Sequence, residues 1–262
     1  MSLGRAIAAE LHKTATLPAA RVAVTIAALG SLGITVLNAT GIRAALDSGR
    51  LDDVGYTSPV EAAFSASPLG TVGAVILGVI AIGSEYSANS SDAGGGRQIS
   101  STLTVLPRRL RLLVAKAAAI VLLLAGTAAV TLPACLAVSH LIIGTTSGEA
   151  WADLALRCAG AALYWTLTAL IALAIAVLAR DGTIPLIVLL ANSSLVSVSI
   201  LLSNLTPLAY YLPDLAGMRL FARDAWAMTA DALDPLTGGL VMAAWAFGLL
   251  AVAAVAFERR DA

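Results

Sequence analysis

Six long apolar runs restrict the fold of this sequence more than any other feature. They cover residues 20–38, 62–83, 117–138, 158–178, 184–205 and 238–257. A helix needs about 20 apolar residues to cross the hydrocarbon layer of a bilayer, because each residue advances about 1.5 Å. Runs such as 167–179 do not alternate between apolar and polar residues, as the strands of a membrane barrel would. The sequence therefore predicts an all-α membrane protein with about six transmembrane helices.

The composition supports a location in the membrane and argues against nucleic acid as a partner. Hydrophobic residues make up 59% of the chain and charged residues 12%, whereas a soluble domain carries about 25% charged residues. The formal net charge is +0, so no basic excess is available to bind nucleic acid. We expect lipids, and not nucleic acid, to surround this chain.

The basic residues predict the orientation, because Lys and Arg are enriched on the cytoplasmic side of membrane proteins. With six helices and a cytoplasmic N-terminus, eleven of the 16 Lys and Arg residues fall on the cytoplasmic side. Both termini are then cytoplasmic. The sequence predicts a multi-pass protein of the cell membrane, in bacteria the inner or plasma membrane.

The whole chain, 1–262, is interpreted as one transmembrane domain that contains two helical segments outside the spans. Residues 1–19 predict an amphipathic helix at the membrane interface, with Glu10 and Lys13 on its polar side. The apolar segment 206–237, on the outer side, is divided by prolines and predicts short helices that re-enter the membrane or pack on the spans.

The cytoplasmic loop 85–111 is the most informative polar stretch. It begins with Glu85 and Tyr86, continues through a Gly/Ser-rich run, and ends in a basic cluster. Ile99 and Leu103 are four residues apart, so they lie on one face of a short helix. Such a surface suits docking to a soluble partner, and an ordinary loop anchored at lipid head groups by its arginines is the alternative.

Several short motifs occur in order along most of the chain. They are Glu10-Leu11-His12-Lys13, Glu85-Tyr86, Thr102-Leu103, Pro107-Arg108-Arg109, Lys116, and Leu212-Pro213-Asp214-Leu215-Ala216-Gly217. Together they resemble the permease subunits of ABC-2 type exporters, particularly the small actinobacterial six-span permeases. The run 87–96 is longer than the loop expected after Glu-Tyr in that group.

The resemblance implies that two permease copies pair, as a homodimer or heterodimer, and that each copy is seated on a separate cytoplasmic ABC ATPase. ATP and Mg would bind that ATPase and no cofactor would bind this chain. The only glycine cluster, 94–96, lacks the Lys of a phosphate-binding loop. The resemblance assigns coupling to the ATPase to Glu85, Tyr86, Arg97, Ile99, Leu103, Arg108 and Arg109.

Catalytic residues are sparse in the apolar runs. His12 and His140 lie on opposite sides of the membrane in this topology, and no Asp, Glu, Lys or Arg lies near the middle of a run. We expect a non-catalytic subunit. The same absence argues against a proton-driven carrier, which usually keeps an ionisable residue at membrane depth.

The fifth apolar run carries the largest polar content. Asn192, Ser199 and Ser203 are spaced seven and four apart, which predicts one helical face, and Ser193 is adjacent to it. This face would line the substrate path or the subunit interface. Hydrogen bonding and small-residue packing between helices is the alternative.

The sequence thus favours an ATP-driven exporter permease for an amphipathic or hydrophobic cargo, such as a peptide antibiotic, a drug or a lipid-like molecule, with a possible role in antibiotic resistance. The alternatives are a membrane scaffold or sensor subunit without a transport path, and an ion-driven secondary transporter.

Overall fold

The computed structural model describes residues 2–50, 54–86, 109–144, 149–194, 197–222 and 233–259. All regular structure within these ranges is helical. The helices are α1 (Leu3–Thr16), α2 (Pro18–Ser48, with a π-helical turn at Ile26–Gly30), α3 (Pro59–Phe64), α4 (Ser67–Tyr86), α5 (Arg109–Ile143), α6 (Trp151–Ala179), α7 (Thr183–Ser194), α8 (Val198–Ser203), a 3-10 helix (Pro207–Tyr211), α9 (Pro213–Met218) and α10 (Pro235–Arg259).

Five helical segments within the described ranges are long and apolar enough to cross a membrane. They are α2, the segment Pro59–Tyr86 formed by α3 and α4, α5, α6 and α10, with mean hydropathies from 1.9 to 2.4. The predictions of an all-α fold and of a membrane protein are confirmed. The first apolar run, although interrupted by Gly30 and Gly33, forms the continuous segment Pro18–Ser48.

The predicted fifth span, 184–205, is not one continuous helix. Helix α7 has 12 residues, which extend about 18 Å and fall short of a hydrocarbon layer of about 30 Å. Ser197 is extended (φ −67°, ψ 114°), and its hydroxyl accepts from the backbone N–H of Ile200 to cap α8. A serine that bonds to the backbone in this way competes with helix continuation. The prediction that Asn192, Ser199 and Ser203 share one helical face is therefore wrong.

One end of the helix bundle contains the residues on both sides of the 85–111 loop, and we call it the loop end. Lys116 of α5 pairs there with Glu85 of α4. Helix α6 finishes at the same end, where Gly182 approaches Gly83. Helix α10 also finishes there, because a guanidinium N–H of Arg109 donates to the carbonyl of Phe257 at 3.0 Å.

The opposite end collects the other helix termini. A guanidinium N–H of Arg43 in α2 donates to the carbonyl of Ile143, the last residue of α5, at 3.4 Å. Gly238, near the start of α10, lies against Ala216 of α9. Helix α6 therefore finishes at the loop end and α10 begins at the opposite end, and the described residues between them form short helical pieces.

Those short pieces fulfil the expectation of short helices in the described part of segment 206–237. The 3-10 helix and α9 each begin with a proline, whose fixed φ suits a helical first turn. The indole N–H of Trp245 in α10 donates to the carbonyl of Tyr211 at 2.9 Å. The segment therefore packs along α10 over several turns.

Helices α4 and α6 form the centre of the bundle. Glycine allows their close approach, because a Cβ at Gly78 would overlap the backbone carbonyl of Ala169, and one at Gly70 would overlap the ring of Trp165. The indole N–H of the fully buried Trp165 donates to the hydroxyl and carbonyl oxygens of Ser67 at 3.2 Å. Small residues of this kind let membrane helices pack closely.

We expect Gly78→Ala to destabilise the protein by about 1–3 kcal/mol, because the added methyl group forces α4 and α6 apart. Gly126→Ala is the matched control, since nothing lies within 4 Å of a Cβ at this exposed mid-helix glycine. Alanine favours a helix over glycine, so the control should leave stability unchanged or raised. Reversible unfolding of both variants in mixed micelles measures the difference, and equal stabilities would contradict this packing.

Candidate functional site

A buried ionic network joins three helices at the loop end. The ammonium of Lys116, in α5, donates to Glu10 of α1 and to Glu85 of α4, each at 2.8 Å. Lys13 of α1 donates to the same oxygen of Glu85. The side chains of Lys116 and Glu85 are 1% and 0% exposed. Two lysines balance two glutamates, so the buried charges compensate one another.

This network corrects the assignment of Glu10 to the polar side of α1. Helix α1 forms as predicted, over Leu3–Thr16, but its buried face consists of Ala6, Glu10 and Thr14. The buried Lys116 supplies the partner that makes this burial tolerable, because an unpaired carboxylate would lose its hydration without compensation. Helix α1 is therefore joined to the bundle by charge as well as by apolar contact.

The structure also changes the role that the sequence suggested for Glu85. Its carboxylate is enclosed by Lys13 and Lys116 and does not reach the protein surface, so it cannot form a direct contact with a soluble partner in this conformation. Glu85 instead fixes the residue from which the loop departs. Arg97, Ile99, Leu103 and Arg108 lie outside the described residues.

The other two predicted coupling residues lie near the surface at the loop end. Tyr86 is half-buried and lines a groove of about 490 Å³. Arg109 is half-buried, with its guanidinium 5.7 Å from the centroid of the Phe257 ring. Both residues therefore lie beside the places where the chain enters and leaves the predicted coupling loop.

The groove lies between the start of α2, the end of α4 and the start of α7. Its walls include Pro18, Gly83, Arg180 and Asp181. Asp181 is half-buried and caps α7, and the hydrogen bond from the backbone N–H of Thr183 lowers the pKa of Asp181 below its usual value. The groove thus joins an apolar wall to a charged rim at the loop end.

A second buried charge cluster lies at the opposite end, around Arg157 of α6. Its guanidinium donates to Glu61 at 2.6 Å, to Glu149 at 3.3 Å and to the carbonyl of Phe221 at 2.9 Å. The guanidinium carbon lies 4.6 Å from the centroid of the Phe64 ring, a distance suited to a cation–π contact. Arg157 therefore holds the outer segment to α3 and α6.

Between these two clusters lies a cavity of about 210 Å³. Three of the four residues that the sequence assigned to a path or an interface line it: Asn192 and Ser193 of α7 and Ser199 of α8. Ser203 does not line it, and its hydroxyl donates instead to the carbonyl of Ile200. The break between α7 and α8 allows these residues to surround the cavity.

Among the residues that the structure describes, Asp214 of α9 is the one carboxylate in the cavity wall. Its Oδ2 accepts from the Ser197 hydroxyl at 2.8 Å and from the Asn192 amide at 3.5 Å. Its Oδ1 is buried and has no hydrogen-bond partner among the described residues. A buried carboxylate oxygen without a hydrogen-bond donor is costly. A ligand in the cavity that donates a hydrogen bond to Oδ1 would remove this cost.

Sequence reasoning missed three features of these sites. It did not pair Glu10 with Lys116, it assigned no partner to Arg157, and it treated Asp214 only as part of a motif. A charged residue immediately before an apolar run was the available signal for Lys116 and Arg157. The position of Asp214 depends on how the outer segment folds back, and the sequence gives no signal for that.

The fold and its buried charges define an all-helical, multi-pass membrane protein. Within the described ranges, no group of three or more His, Cys, Asp and Glu residues could hold a metal ion. No protein-family model matches the sequence, and no curated protein matches it.

We expect Lys116→Met to lower the free energy of unfolding by about 3–5 kcal/mol, because it leaves Glu10 without its cation and Glu85 with Lys13 alone. Lys13→Met is the control: its side chain is 28% exposed and Lys116 still pairs with Glu85. The control should cost less than Lys116→Met, because Lys116 still pairs with both glutamates.

A third variant separates charge from packing. Adding Glu10→Gln to Lys116→Met removes the one carboxylate left without a cation, since Glu85 keeps Lys13, and should restore part of the lost stability. Unfolding in mixed micelles gives all three values. Equal stability of Lys116→Met and Lys13→Met would contradict the proposed importance of the network.

Proposed function

We propose that this chain is the membrane-spanning permease subunit of an ATP-driven exporter. It works with a second permease copy and with a separate cytoplasmic ATPase that binds ATP and Mg. The observation that carries the proposal is the Glu10–Lys116–Glu85–Lys13 network, which fixes the two flanks of loop 85–111 to each other and to α1.

The network supports a coupling role because of where the loop begins and ends. Glu85 is the first residue of the loop 85–111, and Lys116 lies about two turns into α5, which begins at the other end of the loop. A force on the loop would act on α1, α4 and α5 together, because their charges cannot separate inside the bundle without large cost. The groove beside Tyr86 offers a surface where a partner can apply that force.

Pairing with a second copy is supported by the uneven burial of the long helices. In the most apolar 18-residue stretch of α10, 22% of the residues are buried. The corresponding share is 28% in α2 and 67% in α6. The remainder must face lipid or another protein, since a membrane interface is packed from such surfaces. We propose that part of this surface receives the second permease.

We further propose six crossings with both ends of the chain in the cytoplasm. Five are the long helices, and the sixth is the discontinuous path through α7, α8, the 3-10 helix and α9. The contacts that bring the ends of α6 and α10 to the loop end support this path. The basic residues of loop 85–111 favour a cytoplasmic position for that end.

Cysteine labelling tests this topology on a background with Cys135 and Cys158 replaced by alanine. An impermeant maleimide should label Asp47→Cys and Asp153→Cys in intact cells, because both positions lie at the opposite end and are exposed. Thr16→Cys and Glu258→Cys should react only after the membrane is opened. Labelling of Glu258→Cys in intact cells would indicate an odd number of crossings after Thr16 and contradict the proposal.

Co-purification tests the exporter. The tagged chain, gently solubilised from native membranes, should bring with it a vanadate-sensitive ATPase. Arg97→Glu in the loop should reduce the recovered ATPase by about tenfold, a change of 1.4 kcal/mol in binding. Arg50→Glu is the matched control, because it makes the same charge change next to the C-terminal end of α2, at the opposite end.

Recovery of the intact chain without an ATPase, under conditions that preserve other membrane complexes, would contradict the exporter proposal. It would favour a membrane scaffold or sensor subunit. Equal ATPase recovery with both arginine variants would instead place the coupling surface outside the loop.

A second candidate, an ion-driven carrier, gains support from Asp214. The sequence argued against this class because no ionisable residue lies near the middle of an apolar run, yet Asp214 lines a cavity between helices. Discontinuous helices often form the sites of such carriers. Transport by reconstituted chain alone, driven by an ion gradient without ATP, would favour this candidate.

A further inference from the structure

The cavity around Asp214 combines one carboxylate with a largely apolar wall. Pro68, Ile171, Leu189, Met218 and Met242 supply apolar surface from several helices. The rings of Tyr164 and Phe221 also line it, with centroids 5.4 Å apart. Carboxylate and aromatic faces are the two groups that proteins use to bind an ammonium ion.

Within the described part of the protein, only one of the two carboxylate oxygens of Asp214 accepts hydrogen bonds. Oδ2 is fixed by the Ser197 hydroxyl and the Asn192 amide, which hold the carboxylate against the break between α7 and α8. Oδ1 is left buried without a donor among the described residues. An incoming N–H donor that carries positive charge would satisfy the oxygen and balance the charge.

The depth of the cavity strengthens this assignment. Tyr164 lies near the middle of Trp151–Ala179, and Thr71 lies near the middle of Pro59–Tyr86. A carboxylate at this depth of a membrane bundle is expensive to retain and usually serves a function. Lys116 and Arg157 already pair with other glutamates, and the guanidinium of Arg219, five residues after Asp214, donates to the carbonyl of Leu233.

The size of the cavity limits the ligand. Its volume of about 210 Å³ exceeds the roughly 150 Å³ that accommodates benzene in a protein interior. The wall contributed by α8 is partly open, since Ile200 is 43% exposed. The space therefore suits a small apolar body, such as one aromatic ring, that carries a single ammonium group.

We propose that this cavity is a binding site for small organic ammonium ions, with Asp214 as the ion-pairing residue and the rings of Tyr164 and Phe221 beside the bound cation. Binding does not depend on the export function proposed above. Only the further step, that such amines belong to the transported cargo, rests on that function.

The test is equilibrium binding of radiolabelled phenethylammonium to the purified full chain in detergent, without any ATPase. Asp214→Asn keeps the shape and removes the charge, and it should weaken binding by about tenfold or more. Asp153→Asn, the same change at an exposed position outside the cavity, should bind as the unmodified chain does. Asp214→Glu should retain measurable binding.

A second variant leaves the carboxylate in place. Ile200→Trp narrows the open wall and should weaken phenethylammonium binding several-fold while the unfolding temperature stays unchanged. This variant keeps the proposal testable if Asp214→Asn fails to fold.

Two competitors identify the chemistry. The neutral analogue 2-phenylethanol should not displace the probe, because it cannot pair with the carboxylate. Equal displacement by the alcohol, or unchanged binding by Asp214→Asn, would overturn the proposal and leave a hydrated cavity. If Na⁺ displaced the radiolabelled probe as effectively as unlabelled phenethylammonium does, the proposal would be overturned and the site would be assigned to a metal cation. Binding that persists in a chain without an ATPase partner separates this result from the exporter test.

Discussion

The cost of burying a charge in a low-dielectric bundle governs this structure. Lys116 lies about two turns inside an apolar helix, where an unpaired ammonium would be strongly unfavourable. It is accommodated because α1 and α4 each bring a glutamate to within 2.8 Å of it. The positions of three helices relative to one another are therefore set by one cation and its two partners, while the surrounding apolar side chains pack around them.

Arg157 applies the same constraint at the opposite end. Its guanidinium offers several donors in a fixed plane, and it uses them on two glutamates and a backbone carbonyl of the outer segment. Apolar contact between membrane helices has little directional preference. The two charged clusters supply direction, and they leave the central cavity and the break between α7 and α8 as the places where the bundle is least constrained by charge.

The sequence predicted the helical class and five of the long apolar helices, because length and apolarity are local properties. It was less successful where polar residues choose between local and distant partners. Ser197 caps α8 rather than extending a span, and Glu10 turns into the bundle rather than toward water. In both positions the deciding partner, the backbone of Ile200 or the ammonium of Lys116, acts only once a helix ends or two helices meet.

What the sequence by itself determined is the solvent of this protein and the approximate bounds of five long apolar helices, because length and apolarity favour a helix in lipid where no polar side chain interrupts the run. Only the tertiary structure decided which charges are buried, and that Asp214, from a segment after the fifth apolar run, joins Asn192 and Ser197 beside one cavity. Pairing and cavity formation depend on distances between helices, which are set by the packing of the whole bundle and are not encoded in any one segment.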